Sequence, residues 1–387
     1  MNDPGLAPRS MSIRTETYLD WNATAPLRPE AAAAMSAALT QCGNPSSVHR
    51  WGRAARQTVE RARAAVAALV GAPPDAVVFV SGGTEANHLA LLGAGRERVL
   101  VSAIEHDSVR GAVPSAEHIP VDRNGVVLLE ELEGMLATDP RPAIVSVMLA
   151  NNETGVVQPV AAISALARAR GALFHCDAVQ AAGKMAIDIG GIGADVLTLS
   201  AHKLGGPPGI GALVIRDRLD VSPLLRGGGQ EHGHRAGTEN LVGITGFAAA
   251  AAAAAEQIAL YDRVRALRDL LEAAITKLAP DAVVLGAAAL RLPNTTAIAM
   301  PGVAAETQVI ALDLDGVMVS SGAACSSGKV GPSHVLEAMG VGPDLVGSTI
   351  RVSLGWTTTE AEVAHFVQAW TALYHRCRRF APEARAA

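Results

Sequence analysis

The sequence predicts an α/β protein of two units: a large domain on a mostly parallel sheet, over residues 15–258, and a smaller α+β domain from residues 1–14 and 259–387. Three observations carry this expectation. Over residues 76–215, short β-rich runs alternate with helical stretches, the pattern of a parallel sheet covered by helices on both faces. From Asn240 to about Leu278 the chain has no proline and, after Gly246, no glycine, which predicts one long helix bridging the two units. At 387 residues with 49% hydrophobic side chains, the chain exceeds one ordinary domain and can fill two cores.

In chain order, Pro29 and Glu30 open an alanine-rich helix over 28–42 that Gly43 closes. Ala55, Val59, Ala62, Val66 and Leu69 recur at helical spacing in a second helix over 51–70, ended by Gly71, Pro73 and Pro74. Strands are expected at 76–80, 98–102, 143–149, 172–176, 194–199 and 210–215. The bridging helix begins with an alanine run that permits close packing and continues through Tyr261, Val264, Leu267, Leu271 and Ile275. Three later strands, at 295–300, 317–321 and 349–354, belong to the smaller domain. In the last of them Ile350, Val352 and Leu354 face one way, and Arg351 with Ser353 the other.

Composition narrows the function. A net charge of −5 without a dense basic patch argues against nucleic acid and anionic membranes as partners. No apolar run free of charge and proline is long enough to span a bilayer, and the first residues lack the blocks of a signal peptide, so a cytoplasmic location is expected. The cysteines Cys42, Cys176, Cys325 and Cys377 form no C-x-x-C pair, which disfavours a disulfide framework or a four-cysteine zinc site. A buried structural thiol is expected for Cys176 and, more loosely, for Cys42. His232 and His234 lack further ligands nearby, so no intrinsic metal is expected.

In open α/β sheets, ligands bind beyond the carboxyl ends of the strands. There the sequence places SGGTEAN, EHDSV, NNETG, DAVQ and SAHK. The turn Ser81-Gly82-Gly83-Thr84 joins a strand to a helix start, where free backbone N–H groups suit a phosphate, but it lacks the nucleotide-triphosphate and dinucleotide patterns. A cofactor with a single phosphate remains. Lys203, one of only four lysines, follows a strand and precedes a tight glycine and proline turn, a setting in which an amine serves as nucleophile or base. Asp177 ends a strand and can pair with a pyridinium nitrogen, with Gln180 one turn on to reach a ring hydroxyl. Cys325 sits among small residues, Gly322 to Gly328, which leave a thiol accessible. Phosphate turn, carboxylate and strand-end lysine in this order indicate pyridoxal 5'-phosphate (PLP).

The segments YLDWNATAP (18–26), GNPSSVHRWG (43–52), SGGTEANH (81–88), NNETGVVQP (151–159), HCDAVQAAGK (175–184), SAHKLGGPPGIGAL (200–213), GGGQEHGHRAGTEN (227–240), SSGAACSSG (320–328) and RVSLGWTTTE (351–360) resemble the cysteine desulfurases of the class V aminotransferase superfamily. The resemblance runs from about residue 17 to the end, and SSGAACSSG is similar to the first class, which serves nitrogenase or housekeeping iron–sulfur assembly. Trp21 stands where an asparagine is usual, at a position able to reshape the site entrance, and Ala324 follows Ala323 where many members have Ser-Ala.

The resemblance implies an aspartate-aminotransferase-like PLP fold, fold type I, and roles for individual residues. Lys203 would hold PLP and move the substrate's Cα proton, and His106 would stack on the ring and assist proton transfer. Gly83, Thr84, Ser200 and His202 would bind the phosphate, with Thr238 reaching it from the other subunit of a homodimer. Asp177 and Gln180 would tune the ring, and Asn152 with Arg351 would hold the carboxylate of L-cysteine. Cys325 would take the sulfur as a persulfide and pass it to an iron–sulfur scaffold or another acceptor protein, with transient ligation of a cluster by the same thiol as its only metal contact. A PLP lyase or transaminase acting on another amino acid, such as selenocysteine, is the alternative.

Overall fold

A computed structural model describes residues 16–216, 219–322 and 331–380. After the short strand β1 (Thr17–Tyr18) come helices Pro29–Leu39 and Arg50–Leu69. A seven-stranded sheet follows, made of β2 (Val77–Val80), β3 (Arg98–Ser102), β4 (Glu117–Ile119), β5 (Ala143–Ser146), β6 (Leu173–Asp177), β7 (Val196–Ser200) and β8 (Gly211–Ile215). Their spatial order is β2-β8-β7-β6-β5-β3-β4. Strands β4, β3, β5, β6 and β7 pair in parallel, while β8 runs antiparallel to both β7 and β2. The carboxyl ends of β2, β3, β5, β6 and β7 therefore lie along one edge.

Alternation across the sheet explains the composition of its strands. In β3, Leu100 enters one apolar core with Val145, Phe174, Leu197 and Phe247, while Val99 and Val101 enter the opposite one with Leu89, Ile144 and Leu213. Because helices cover both faces, the strands read as nearly continuous apolar runs. β4 escapes sequence reading because Glu117-His118-Ile119 lies at the sheet edge and is only partly buried.

The expected single helix from Asn240 to Leu278 is two helices, Leu241–Glu256 and Leu260–Leu278, bent by 75° at the break. The alanine-rich first half packs Phe247, Ala250, Ala251 and Ala254 into the large core. The second half turns Tyr261, Val264, Leu267, Leu271 and Ile275 into a separate core with Ile298, Ile350, Phe366 and Trp370. At the break, the Gln257 side chain leaves the helix line to accept Arg28 Nη1 at 2.7 Å. No glycine or proline marks this tertiary contact in the sequence. No single helix among the described residues is long and apolar enough to cross a membrane.

The second core backs a four-stranded sheet with β9 (Val283–Leu285), β10 (Thr295–Ala299), β12 (Ser320–Ser321) and β13 (Thr349–Ser353), in the order β12-β13-β10-β9 and antiparallel throughout. The expected strand 317–321 divides: β11 (Val317–Met318) pairs with β1, and only Ser320–Ser321 joins this sheet. Leu19 lies in the second core and Asp20 bridges to Ser353. Residues 17–20 thus pair with β11 and β13 and pack on the second core. Cys42 is exposed rather than buried, because its helix ends at Leu39 and leaves it in a loop; Cys176 is fully buried in β6.

Candidate active site

A cavity of about 240 Å³ lies at the strand ends, lined by Gly83, Thr84, Asn87, His106, Ser108, Asn152, Asp177, Gln180, Ser200, His202 and Lys203 among others. A larger one of about 510 Å³ beside β2 is lined by Pro73, Asp75, His232 and His234 and holds none of these groups. Chemistry, and not size, marks the site.

At one end, the helix Gly83–Gly93 starts from Gly82 without a side-chain cap, so its first N–H groups face outward beside Thr84 and Ser200. A Cβ at Gly83 would come within 3.1 Å of Val179 Cγ2, a tight approach that glycine avoids. His202 is pushed down to about 4 by burial and by the neighbouring Lys203, which leaves a neutral imidazole near neutral pH.

Asp177 closes β6. Its Oδ2 accepts Asn87 Nδ2 at 2.8 Å and its Oδ1 accepts the Val179 amide at 2.9 Å. The same Asn87 Nδ2 donates to Ser108 Oγ at 2.8 Å, and Ser108 meets His106 Nδ1 through Oγ at 2.7 Å and through its backbone N–H at 3.0 Å. Asn87 thus joins the carboxylate to the histidine. Lys203 follows β7 in a short 3-10 turn, and its Nζ donates to the carbonyls of Asn22 at 2.6 Å and Ala23 at 2.8 Å.

Arg351, on β13, is fully buried. Its Nη1 donates to the Asn152 carbonyl at 3.2 Å, its Nη2 pairs with Asp20 Oδ1 at 2.7 Å, and its buried Nε has no hydrogen-bond partner among the described residues. The alternation along β13 turns it from the second core, where Ile350, Val352 and Leu354 pack, toward Asn152 of the large unit. Next to Asn152, buried Glu153 accepts Ser333 Oγ at 2.5 Å and lies 3.1 Å from where a Gly322 Cβ would stand. Burial raises its carboxyl to about 7. Cys325 itself lies outside the described residues; Gly322 and Ser333 lie on either side of it in the chain.

The structure gathers Gly83, Thr84, His106, Asn152, Asp177, Gln180, Ser200, His202 and Lys203 around one cavity and brings Arg351 to its margin. It does not bring Thr238 there: this exposed residue lines another cavity with Ser81, Glu231 and Arg235. Trp21 is buried, with its ring edge-on to Trp356, 4.6 Å between centroids. Sequence reasoning missed Asn22, Asn87, Glu153 and Lys184. All four stand inside motifs already singled out, but their roles depend on burial, which no local pattern reveals.

Residues 17–366 match the family model described as Aminotransferase class-V. A protein from Cereibacter sphaeroides named cysteine desulfurase is 44% identical, with 94% of this chain and 97% of that protein covered. One from Dictyoglomus turgidum named cysteine desulfurase IscS is 37% identical, over 96% and 97%. The solved structure of a NifS-like protein from Rickettsia africae superposes with a TM-score of 0.87 at 35% identity, covering 93% of this chain and 99% of that one. The chain belongs to the aminotransferase class-V family. Within it, the chain's relatives at this level of similarity are the cysteine desulfurases.

Proposed function

We propose that this protein is a PLP-dependent cysteine desulfurase that converts L-cysteine to L-alanine and collects the sulfur as a persulfide on Cys325 for iron–sulfur cluster assembly. The observation that carries the reading is the convergence of an uncapped helix start, a hydrogen-bonded carboxylate and an amine, Lys203, on one cavity. These groups fit PLP. The helix start with Thr84, Ser200 and His202 suits its phosphate, Asp177 its ring nitrogen, Gln180 its ring hydroxyl and His106 its face. When bound, PLP supplies an electron sink next to the substrate's Cα.

The chain's own residues supply the rest. Arg351, whose buried Nε has no partner among the described residues, and Asn152 hold the substrate carboxylate. Lys203 holds the cofactor and carries the Cα proton. In the net reaction the Cβ–S bond of cysteine breaks, an S–S bond forms on Cys325, and hydrogen replaces sulfur at Cβ. Thr238, exposed in a single chain, fits a role in a homodimer whose second copy offers it to the phosphate. A cytoplasmic setting suits a thiol that must stay reduced between turnovers.

The test is alanine formation from L-cysteine by the purified protein with a thiol reductant present. Alanine is expected from the parent and from neither Lys203→Ala nor Cys325→Ala. Undiminished activity in Cys325→Ala would replace the persulfide route with a PLP lyase or transaminase.

A further inference from the structure

Lys184 closes the motif HCDAVQAAGK and has no role in the reaction just described. It is 3% exposed, and among the described residues it forms no ion pair with a carboxylate. Its Nζ donates to two amide oxygens, Asn22 Oδ1 at 2.8 Å and Gln180 Oε1 at 2.9 Å. Burial, with the charges of Lys203 and Arg351 nearby, pushes its pKa well below the usual lysine range.

Nζ is the donor in both bonds, so both partners turn their oxygens toward Lys184; Asn22 Oδ1 also accepts Asn294 Nδ2 at 3.1 Å, so two donors fix the Asn22 amide while Lys184 sets that of Gln180. Gln180 then directs Nε2 away from Lys184, where it reaches the Asn22 carbonyl at 3.0 Å beside the cavity that Gln180 lines. Asn22 directs Nδ2 to the Asn152 carbonyl at 3.2 Å and to Thr295 Oγ1 at 2.9 Å. The Asn22 carbonyl also accepts Lys203 Nζ, and the Asn152 carbonyl also accepts Arg351 Nη1. A single buried amine therefore stands behind the amide facing the cofactor cavity and behind the one bracing the substrate clamp.

We propose that Lys184 is a positioning residue: as a buried hydrogen-bond donor it aims the Gln180 N–H group at the cofactor cavity and helps hold Asn22 as the bridge between Lys203 and the Asn152–Arg351 pair. The consequence for cysteine binding rests on the desulfurase reading; the amide orientation does not. With polarity lost at Lys184, Gln180 is free to turn its oxygen to the cavity, where a ring oxygen would be repelled.

The test compares Lys184→Met, which fills the space without a donor, with Lys184→Gln, which restores a neutral one. Protein loaded with PLP is titrated while the cofactor's absorption is followed, and KM and kcat for L-cysteine are measured separately. In Lys184→Met the absorption midpoint should move by about one pH unit and KM should rise about tenfold, the size of one lost hydrogen bond. Lys184→Gln should stay within about twofold of the parent in KM. A parent-like midpoint and KM in Lys184→Met would overturn the proposal, as would loss of the fold in both variants or equal damage in Lys184→Gln. A parent that makes no alanine would instead remove the desulfurase reading, leaving the midpoint comparison to judge Lys184.

Discussion

At the scale of single residues, hydrogen-bond direction organises the site. Asp177 only accepts, so Asn87 must present its NH2 group, and with that NH2 also directed at Ser108 Oγ the serine hydroxyl points at His106 Nδ1. The backbone N–H of Ser108 points at the same nitrogen, so neutral His106 carries its proton on Nε2. Arg351 shows the same dependence on geometry. Its fork is held by Asp20 and Asn152 while Nε waits for an acceptor, a fit that a lysine ammonium lacks. Arg351→Lys should therefore raise KM for L-cysteine by at least about tenfold with a smaller change in kcat; steady-state kinetics check this, and equal losses in both would place the contact in the transition state instead.

At the scale of elements, the strand ends deliver the site and helix Arg50–Leu69 braces the segment that carries Thr238. Arg63 of that helix makes two hydrogen bonds to buried Glu231, at 2.7 and 2.9 Å, and Glu231 also accepts the Phe79 amide at 2.7 Å. These bonds hold Glu231 and His232 at φ of 47° and 56°, backbone that side chains other than glycine rarely adopt, and so shape the segment leading to Thr238. Arg63→Met should lower the unfolding free energy by about 3–5 kcal/mol, because it strands a buried carboxylate; urea denaturation reads the loss, and Arg63→Met/Glu231→Gln should recover part of it. Runs such as RVLVS, exact at 98–102, were legible because both faces of the sheet are covered and Val99, Leu100 and Val101 all enter apolar cores. The break at Gln257–Ala259 was not, since it arises where two cores pull one apolar stretch in different directions. Likewise most residues lining the cavity were legible from their places after strands, whereas Lys184 acts from behind them and Asn87 shows its part only through its bonds to Asp177 and Ser108, which packing alone reveals.

At the scale of the whole molecule, two buried groups shape stability against pH in opposite senses. His175, between Ser146 and Thr198, is pushed from 6.5 to about 4 by burial, so the native state stays neutral while the unfolded chain binds a proton. Its contribution is present above pH 6.5 and is lost as pH falls toward 4, by roughly 3 kcal/mol. Glu153, raised from 4.5 to about 7, keeps its proton in the native state, so its contribution is present below 4.5 and is lost as pH rises through 7. Relative to the parent, Glu153→Gln should gain roughly 3 kcal/mol in unfolding free energy between pH 4.5 and 8. Parallel denaturation curves at the two pH values would contradict that assignment. Arg351 of β13 and Asn22 both donate to the Asn152 carbonyl, so the proposed substrate clamp lies where the smaller sheet meets the loops of the larger one. The most direct measurement of the central claim is the alanine released from L-cysteine by the PLP-loaded parent beside Lys203→Ala and Cys325→Ala. Release by the parent alone is the predicted result, and equal release by Cys325→Ala would contradict a persulfide on that cysteine.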